Sequence, residues 1–149
     1  VFHPFEEADQ WPATKQYMDI VNDNVDGAKI AILGMQSFSA WLLFATAAND
    51  CAADNDNVLT RACVLEAAAA IDDWTAGGLH AVMDPGPEGG SPPECEMQIT
   101  VAKDGSFERM APEIDGEGDD GDGFSCFEGS TIQVPQNEGL GVIGPDQPL

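Results

Sequence analysis

The stretch from Ile30 to Asn49, IAILGMQSFSAWLLFATAAN, carries no charged side chain, and its reading decides the fold. Its length matches the roughly 20 residues needed to cross a bilayer. Its content argues for a packed core instead. Gly34, Gln36, Ser37 and Ser39 interrupt the first half, and polar groups are expensive at mid-bilayer. Only Lys29 offers a basic flank. The pattern also divides in two. Ala28 to Leu33 is short, branched and apolar, like a buried strand of a parallel sheet. Gly34 to Ser37 reads as a turn. Ser37 or Ser39 can then cap a helix with Trp41, Phe44, Ala45 and Ala48 along one stripe. A strand-turn-helix unit is expected, without a membrane span and with a sheet beneath the Trp41 helix.

On either side the signals are local. Pro12 suits a first helical turn, and Tyr17, Ile20, Val21 and Val25 follow at helical spacing to about Asn24. Asp26-Gly27 ends that helix. Thr60 can cap another, with Val64, Leu65, Ala68 and Ile71 as its buried face, and Gly77-Gly78 stops it after Trp74. Asp84 to Pro93 is a loop rich in Pro and Gly. Glu96 to Val101 alternates like a half-buried strand, Lys103-Asp104-Gly105 is a hairpin turn, and Phe107 opens the return strand. The expected class is α/β, with helices on a mostly parallel sheet and a late β-hairpin. Residues 1–112 hold these elements. Residues 113–149 form an acidic Gly/Asp-rich loop and a tail, mobile from Gln136 onward.

The charge balance excludes some functions. Among 149 residues, 5 Lys and Arg face 27 Asp and Glu, a net charge of −22. Nothing here neutralises phosphates, so nucleic acid is not a natural partner, and anionic membrane surfaces are disfavoured. Apolar residues make up 43%, enough to build a core. The chain begins at Val1 rather than Met, which points to a removed leader, or to a longer protein whose N-terminus could carry a lipid anchor.

Cys51, Cys63, Cys95 and Cys126 lack CxxC spacing, and only His3 and His80 could complete a zinc set, so no metal centre is expected. An even count reads as two disulfides of an exported protein, secreted, periplasmic or at the cell surface. Three pairings are possible. The local one, Cys51–Cys63 with Cys95–Cys126, brackets one polar loop in each case. The Asp115 to Gly123 run fails a calcium loop, because Asp120 and Cys126 stand where Gly and Glu are needed. His80 has no nucleophile beside it at a diagnostic spacing, and neither GxSxG nor a phosphate-binding glycine loop occurs. Catalysis is not expected, nor is a cofactor.

Several stretches together carry a resemblance. They are Asp9-Gln-Trp-Pro-Ala-Thr-Lys with Met18-Asp19, then Gln36-Ser-Phe-Ser-Ala-Trp-Leu-Leu-Phe-Ala-Thr-Ala, and Leu59-Thr-Arg-Ala-Cys-Val-Leu-Glu-Ala. Asp73-Trp-Thr-Ala-Gly-Gly-Leu-His, Cys95 and Lys103-Asp104-Gly105-Ser-Phe complete the series. In order and spacing the chain resembles the C-terminal part of ABC-transporter substrate-binding proteins of the leucine/isoleucine/valine-binding type, the type I periplasmic-binding-protein class. That resemblance implies two α/β lobes on a hinge, an amino acid or similar small polar solute in the cleft, and delivery to a membrane permease without catalysis. A full member is about twice as long on the usual domain scale. Phe38 matches the family's aromatic near the cleft. Gln36 and Ser37 sit on the expected turn before a helix N-terminus, where free amides favour a carboxylate. Gln36, Ser37 and Phe38 are therefore the expected ligand contacts. The rival reading is an acidic, disulfide-stapled extracellular structural or assembly module without a small-molecule ligand.

Overall fold

Helix α1 spans Pro12–Asn24, and Pro12 opens it at a position whose N–H would be unbonded anyway. Val25 N–H still bonds the Val21 carbonyl before Gly27, at φ +70°, turns the chain. The computed structural model describes residues 1–86, 94–127 and 129. Most of the expected Asp84–Pro93 loop and the tail from Gln136 lie outside those residues.

Helix α2 spans Ile32–Asp54, its 23 residues starting from Ala31. The expected strand at Ala28 to Leu33 and the turn at Gly34 to Ser37 are thereby corrected. Residues 28–31 are irregular, and the helix runs straight through Gly34. A six-residue apolar run does not distinguish strand from helix by itself. A helix pairs its backbone groups within the segment, whereas a strand needs a neighbour to do so. Gly34 serves a close approach, not a turn: a Cβ there would lie 2.5 Å from the Tyr17 hydroxyl of α1. That hydroxyl donates to the Ala31 carbonyl at 3.4 Å and fixes the start of α2 against α1.

Helix α3 spans Arg61–Ala69, and Thr60 Oγ1 accepts the Cys63 N–H at 3.2 Å as its cap. The Cys51–Cys63 disulfide holds α3 to the end of α2. Leu65, expected inside, is exposed.

Four short strands follow. β1 (Cys95–Glu96) pairs antiparallel with β4 (Ser125–Cys126), and the disulfide joins the facing residues Cys95 and Cys126. β2 (Gln98–Val101) pairs antiparallel with β3 (Phe107–Ala111) across the turn at Lys103-Asp104-Gly105. Asp104 Oδ1 accepts the Ser106 N–H and hydroxyl, bracing that turn. Every β2 side chain is exposed, so its alternation does not mark a half-buried strand.

The expected α/β class is overturned. Among the described residues there are three α-helices and two antiparallel two-stranded sheets, with no parallel pairing and no sheet beneath α2. The helix buries Met35, Ser39, Ala47 and Cys51, spaced four residues apart or in multiples of four. Of the stripe expected inside, Trp41 is 68% exposed, Phe44 and Ala45 are exposed beside it and Ala48 is half-buried. Leu33, expected in a buried strand, is 72% exposed on the same side. Apolar residues surround α2 on all sides, so periodicity does not single out its buried face. One core gathers Tyr17, Met35, Ala76 and Leu79, flanked by Phe2, Phe5, Phe38 and Trp74. A second holds Ala81, Cys95 and Phe124. No helix of the described residues is long and apolar enough to cross a membrane.

Candidate functional site

Where α2 meets the segment from Trp74 to Met83, three buried or half-buried polar groups interlock. The Trp74 indole Nε1–H donates to Ser39 Oγ at 3.0 Å, and Ser39 Oγ lies 2.8 Å from His80 Nε2. His80 Nδ1 lies 2.8 Å from the Ala81 carbonyl, which can only accept, so Nδ1 carries the ring proton. Nε2 is then the acceptor and Ser39 donates to it. Burial pushes His80 below its ordinary range, with the N-terminal charge adding to it and the Ala81 carbonyl opposing it. The imidazole is neutral at neutral pH.

Two local features build this arrangement. Trp74 and Met83 form an isolated antiparallel bridge, with N–H to carbonyl bonds of 2.9 and 3.0 Å in the two directions. Between them Ala76, Gly77 and Gly78 adopt positive φ, closing a tight reversal that brings His80 back to α2. Phe2 pairs with His80 from the other side.

Ser39, Trp74 and His80 line a recess of about 390 Å³, together with Gln36, Leu43 and Met83. Its wall is mostly apolar, and its volume is that of a small-molecule pocket. A serine hydroxyl aimed at a neutral histidine resembles a nucleophile and its base. Here a carbonyl rather than a carboxylate backs the imidazole, and the hydroxyl also receives the indole N–H. The chain of bonds orients its members and offers no anion to stabilise a charged imidazolium.

A second cluster lies nearby. The His3 ring is stacked on Trp11 at 3.8 Å and tilted against Phe124 at 4.4 Å. Its Nδ1 is buried without a hydrogen-bond partner among the described residues. Burial, with Arg109 assisting, lowers His3 from 6.5 to about 4. Arg109 grips Glu7 with two bonds, Nε to Oε1 at 2.9 Å and Nη2 to Oε2 at 2.6 Å. Trp11 Nε1–H donates to the same carboxylate at 3.0 Å. Burial alone would raise Glu7, but these bonds hold its carboxyl below the usual range. Arg109 also donates to the Gly123 carbonyl, so the node ties the N-terminal segment to β3 and to the acidic loop. Gly123 is obligatory there, since φ is +73° and a Cβ would meet the Trp11 ring at 2.6 Å.

Of the expected ligand contacts, Gln36 lines the recess. Ser37 is exposed on α2, and Phe38 packs edge-on against Tyr17 at 5.3 Å, flanking the core. None stands at a helix N-terminus. Helix α2 begins at Ile32, so the backbone amides of Gln36 and Ser37 fall within its second turn and are not free for a carboxylate. The Ser39–His80 pair is 41 residues apart in sequence, and no spacing rule announces it. Both disulfides take the local pairing. In the acidic loop, Asp119 accepts the N–H groups of Asp115, Gly121 and Gly123. Among the described residues, no group of three or more His, Cys, Asp or Glu is placed to hold a metal ion.

Compared with protein families, with curated proteins and with solved structures, the chain matches none.

Proposed function

We propose that the chain is a non-catalytic, extracellular solute-binding component of an ABC importer, capturing an amino acid or similar small polar solute and passing it to a membrane permease. The observation that carries this is the recess on α2, where Gln36 borders a wall containing the buried Ser39 and His80 side chains. The order of motifs from Asp9 to Phe107 supports it, and two disulfides support a place outside the reducing cytosol. The proposal does not include the parallel sheet, which the described residues lack. Titration calorimetry against a panel of amino acids and short amides tests it. One-to-one, saturable heat from at least one member is expected; silence across the panel contradicts it.

A second reading, an acidic, disulfide-stapled assembly module, is favoured by the bare stripe of Leu33, Trp41 and Phe44. Large exposed apolar patches usually mark interaction surfaces. Under this reading the panel is silent, and Trp41 becomes protected from acrylamide quenching when the protein meets its partner.

A further inference from the structure

The recess on α2 is bordered by a buried serine hydroxyl with hydrogen-bonding capacity beyond its two protein partners. A serine hydroxyl offers one donor and two acceptor positions. Ser39 spends its proton on His80 and one acceptor position on Trp74, and no other described residue takes its second acceptor position. Ser39 is itself more than nine-tenths buried. One turn earlier on the same face stands Gln36, an exposed primary amide with two N–H donors and a carbonyl. Side chains three residues apart on a helix are neighbours, roughly 5–6 Å apart at Cβ. The recess therefore sets an acceptor beside a group that can donate.

A carboxamide has the complementary pair, an N–H and a carbonyl. Leu43, Trp74 and Met83 supply apolar wall, and the N-terminal residue Val1 lines the recess as well. A carboxylate brings no N–H for the Ser39 acceptor and loses its hydration against the apolar wall. An amino acid's ammonium would lie near the N-terminal charge of Val1, which lines the recess and already acts on His80. We propose that this recess binds a small neutral amide, with Ser39 Oγ accepting its N–H, Gln36 donating to its carbonyl, and its hydrocarbon part against Leu43 and Met83. The inference rests on the solute-binding reading and names the class of solute.

Three probes sharing one hydrocarbon part decide the matter: isovaleramide, isovalerate and leucine, titrated calorimetrically into the full chain. The amide is expected to bind one-to-one and at least 10-fold tighter than either charged relative. Gln36→Leu, on an exposed helical position, is expected to erase most of that preference. Leu43→Trp, which fills the recess, is expected to weaken amide binding more than 10-fold. Ala40→Met, a milder change on the same wall, should do so by several fold if the larger residue disturbs folding; thermal melts check each variant. Equal or tighter binding of isovalerate or leucine overturns the inference, as does amide binding unchanged by both filling variants. If leucine binds while the amide does not, the amide site falls and the solute-binding reading stands. If no member of the wider panel binds, both fall.

Discussion

At the residue scale, Gly34 shows how one side chain can be read two ways. In the sequence it punctuates an apolar run and suggests a turn; in the fold it admits the Tyr17 hydroxyl. Helix propensity alone would make Gly34→Ala stabilising by about 1 kcal/mol. Tyr17 is 2% exposed and hemmed in by Phe5 and Phe38, so it cannot swing aside. Overpacking of this kind costs about 1–3 kcal/mol, so the net effect should be destabilising. Removing the hydroxyl should reverse the sign. In a Tyr17→Phe background the nearest ring carbon stands 3.7 Å from the new Cβ, and Gly34→Ala should stabilise. Urea melts of the four proteins measure this, and a stabilising Gly34→Ala in the parent would contradict the packing.

His3 gives a pH dependence on the same scale. Its folded value, about 4, lies below its ordinary 6.5, so the unfolded chain takes up the proton first. Stability is therefore full above about 6.5 and falls as pH drops toward about 4, where the folded ring also protonates. His80 is lowered too and contributes with the same sign. His3→Phe keeps a ring between Trp11 and Phe124 and should flatten part of this slope in urea melts run across that range. An NMR titration placing His3 near 6.5 would remove the basis for the effect.

At the element scale, local rules carried the reading well and long-range ones did not. Helix α1 begins at Pro12, Thr60 caps α3, and the turn after β2 falls at Lys103-Asp104-Gly105, each set by neighbours within a few residues. The disulfide pairing was legible only as the most local of three. Helix α2 was legible in its second half alone. Its first turns depend on what Tyr17 does, and the choice of buried face depends on which layers surround a helix apolar all round. The recess was hidden further still, since Ser39 and His80 meet through the Ala76–Gly78 reversal. Gln36 was singled out for a helix N-terminus that the fold does not place there, and His80 was weighed only as a base without a nucleophile beside it. The disulfides should matter more the longer the loop they close, though only logarithmically, and the loops here are 12 and 31 residues. In the chain-entropy picture these correspond to about 3 and about 4 kcal/mol. Denaturation of the Cys51→Ser/Cys63→Ser and Cys95→Ser/Cys126→Ser pairs measures both, and a larger loss from the first pair would contradict that ordering.

At the scale of the whole molecule, charge and apolar surface pull in opposite directions. A net charge of −22 repels itself and keeps copies apart, while the Leu33–Trp41–Phe44 stripe invites cover. Salt shortens the reach of the repulsion, to about 10 Å at 0.1 M. The melting temperature should therefore climb by several degrees between about 0.02 and about 0.5 M sodium chloride, a range over which that screening length shrinks severalfold. A flat response would mean that the acidic side chains are already compensated. The clamshell of two α/β lobes is not the architecture of the described residues, so solute capture has to be judged at the recess itself. The most direct measurement is a proton–nitrogen NMR titration of the full chain with the tightest-binding amide. Shifts should concentrate on the Gln36 side-chain amide, the Ser39 and Leu43 backbone and the Trp74 indole, sparing the Trp41 indole. Shifts centred on Trp41 and Phe44, or none at saturating solute, would contradict binding at this site.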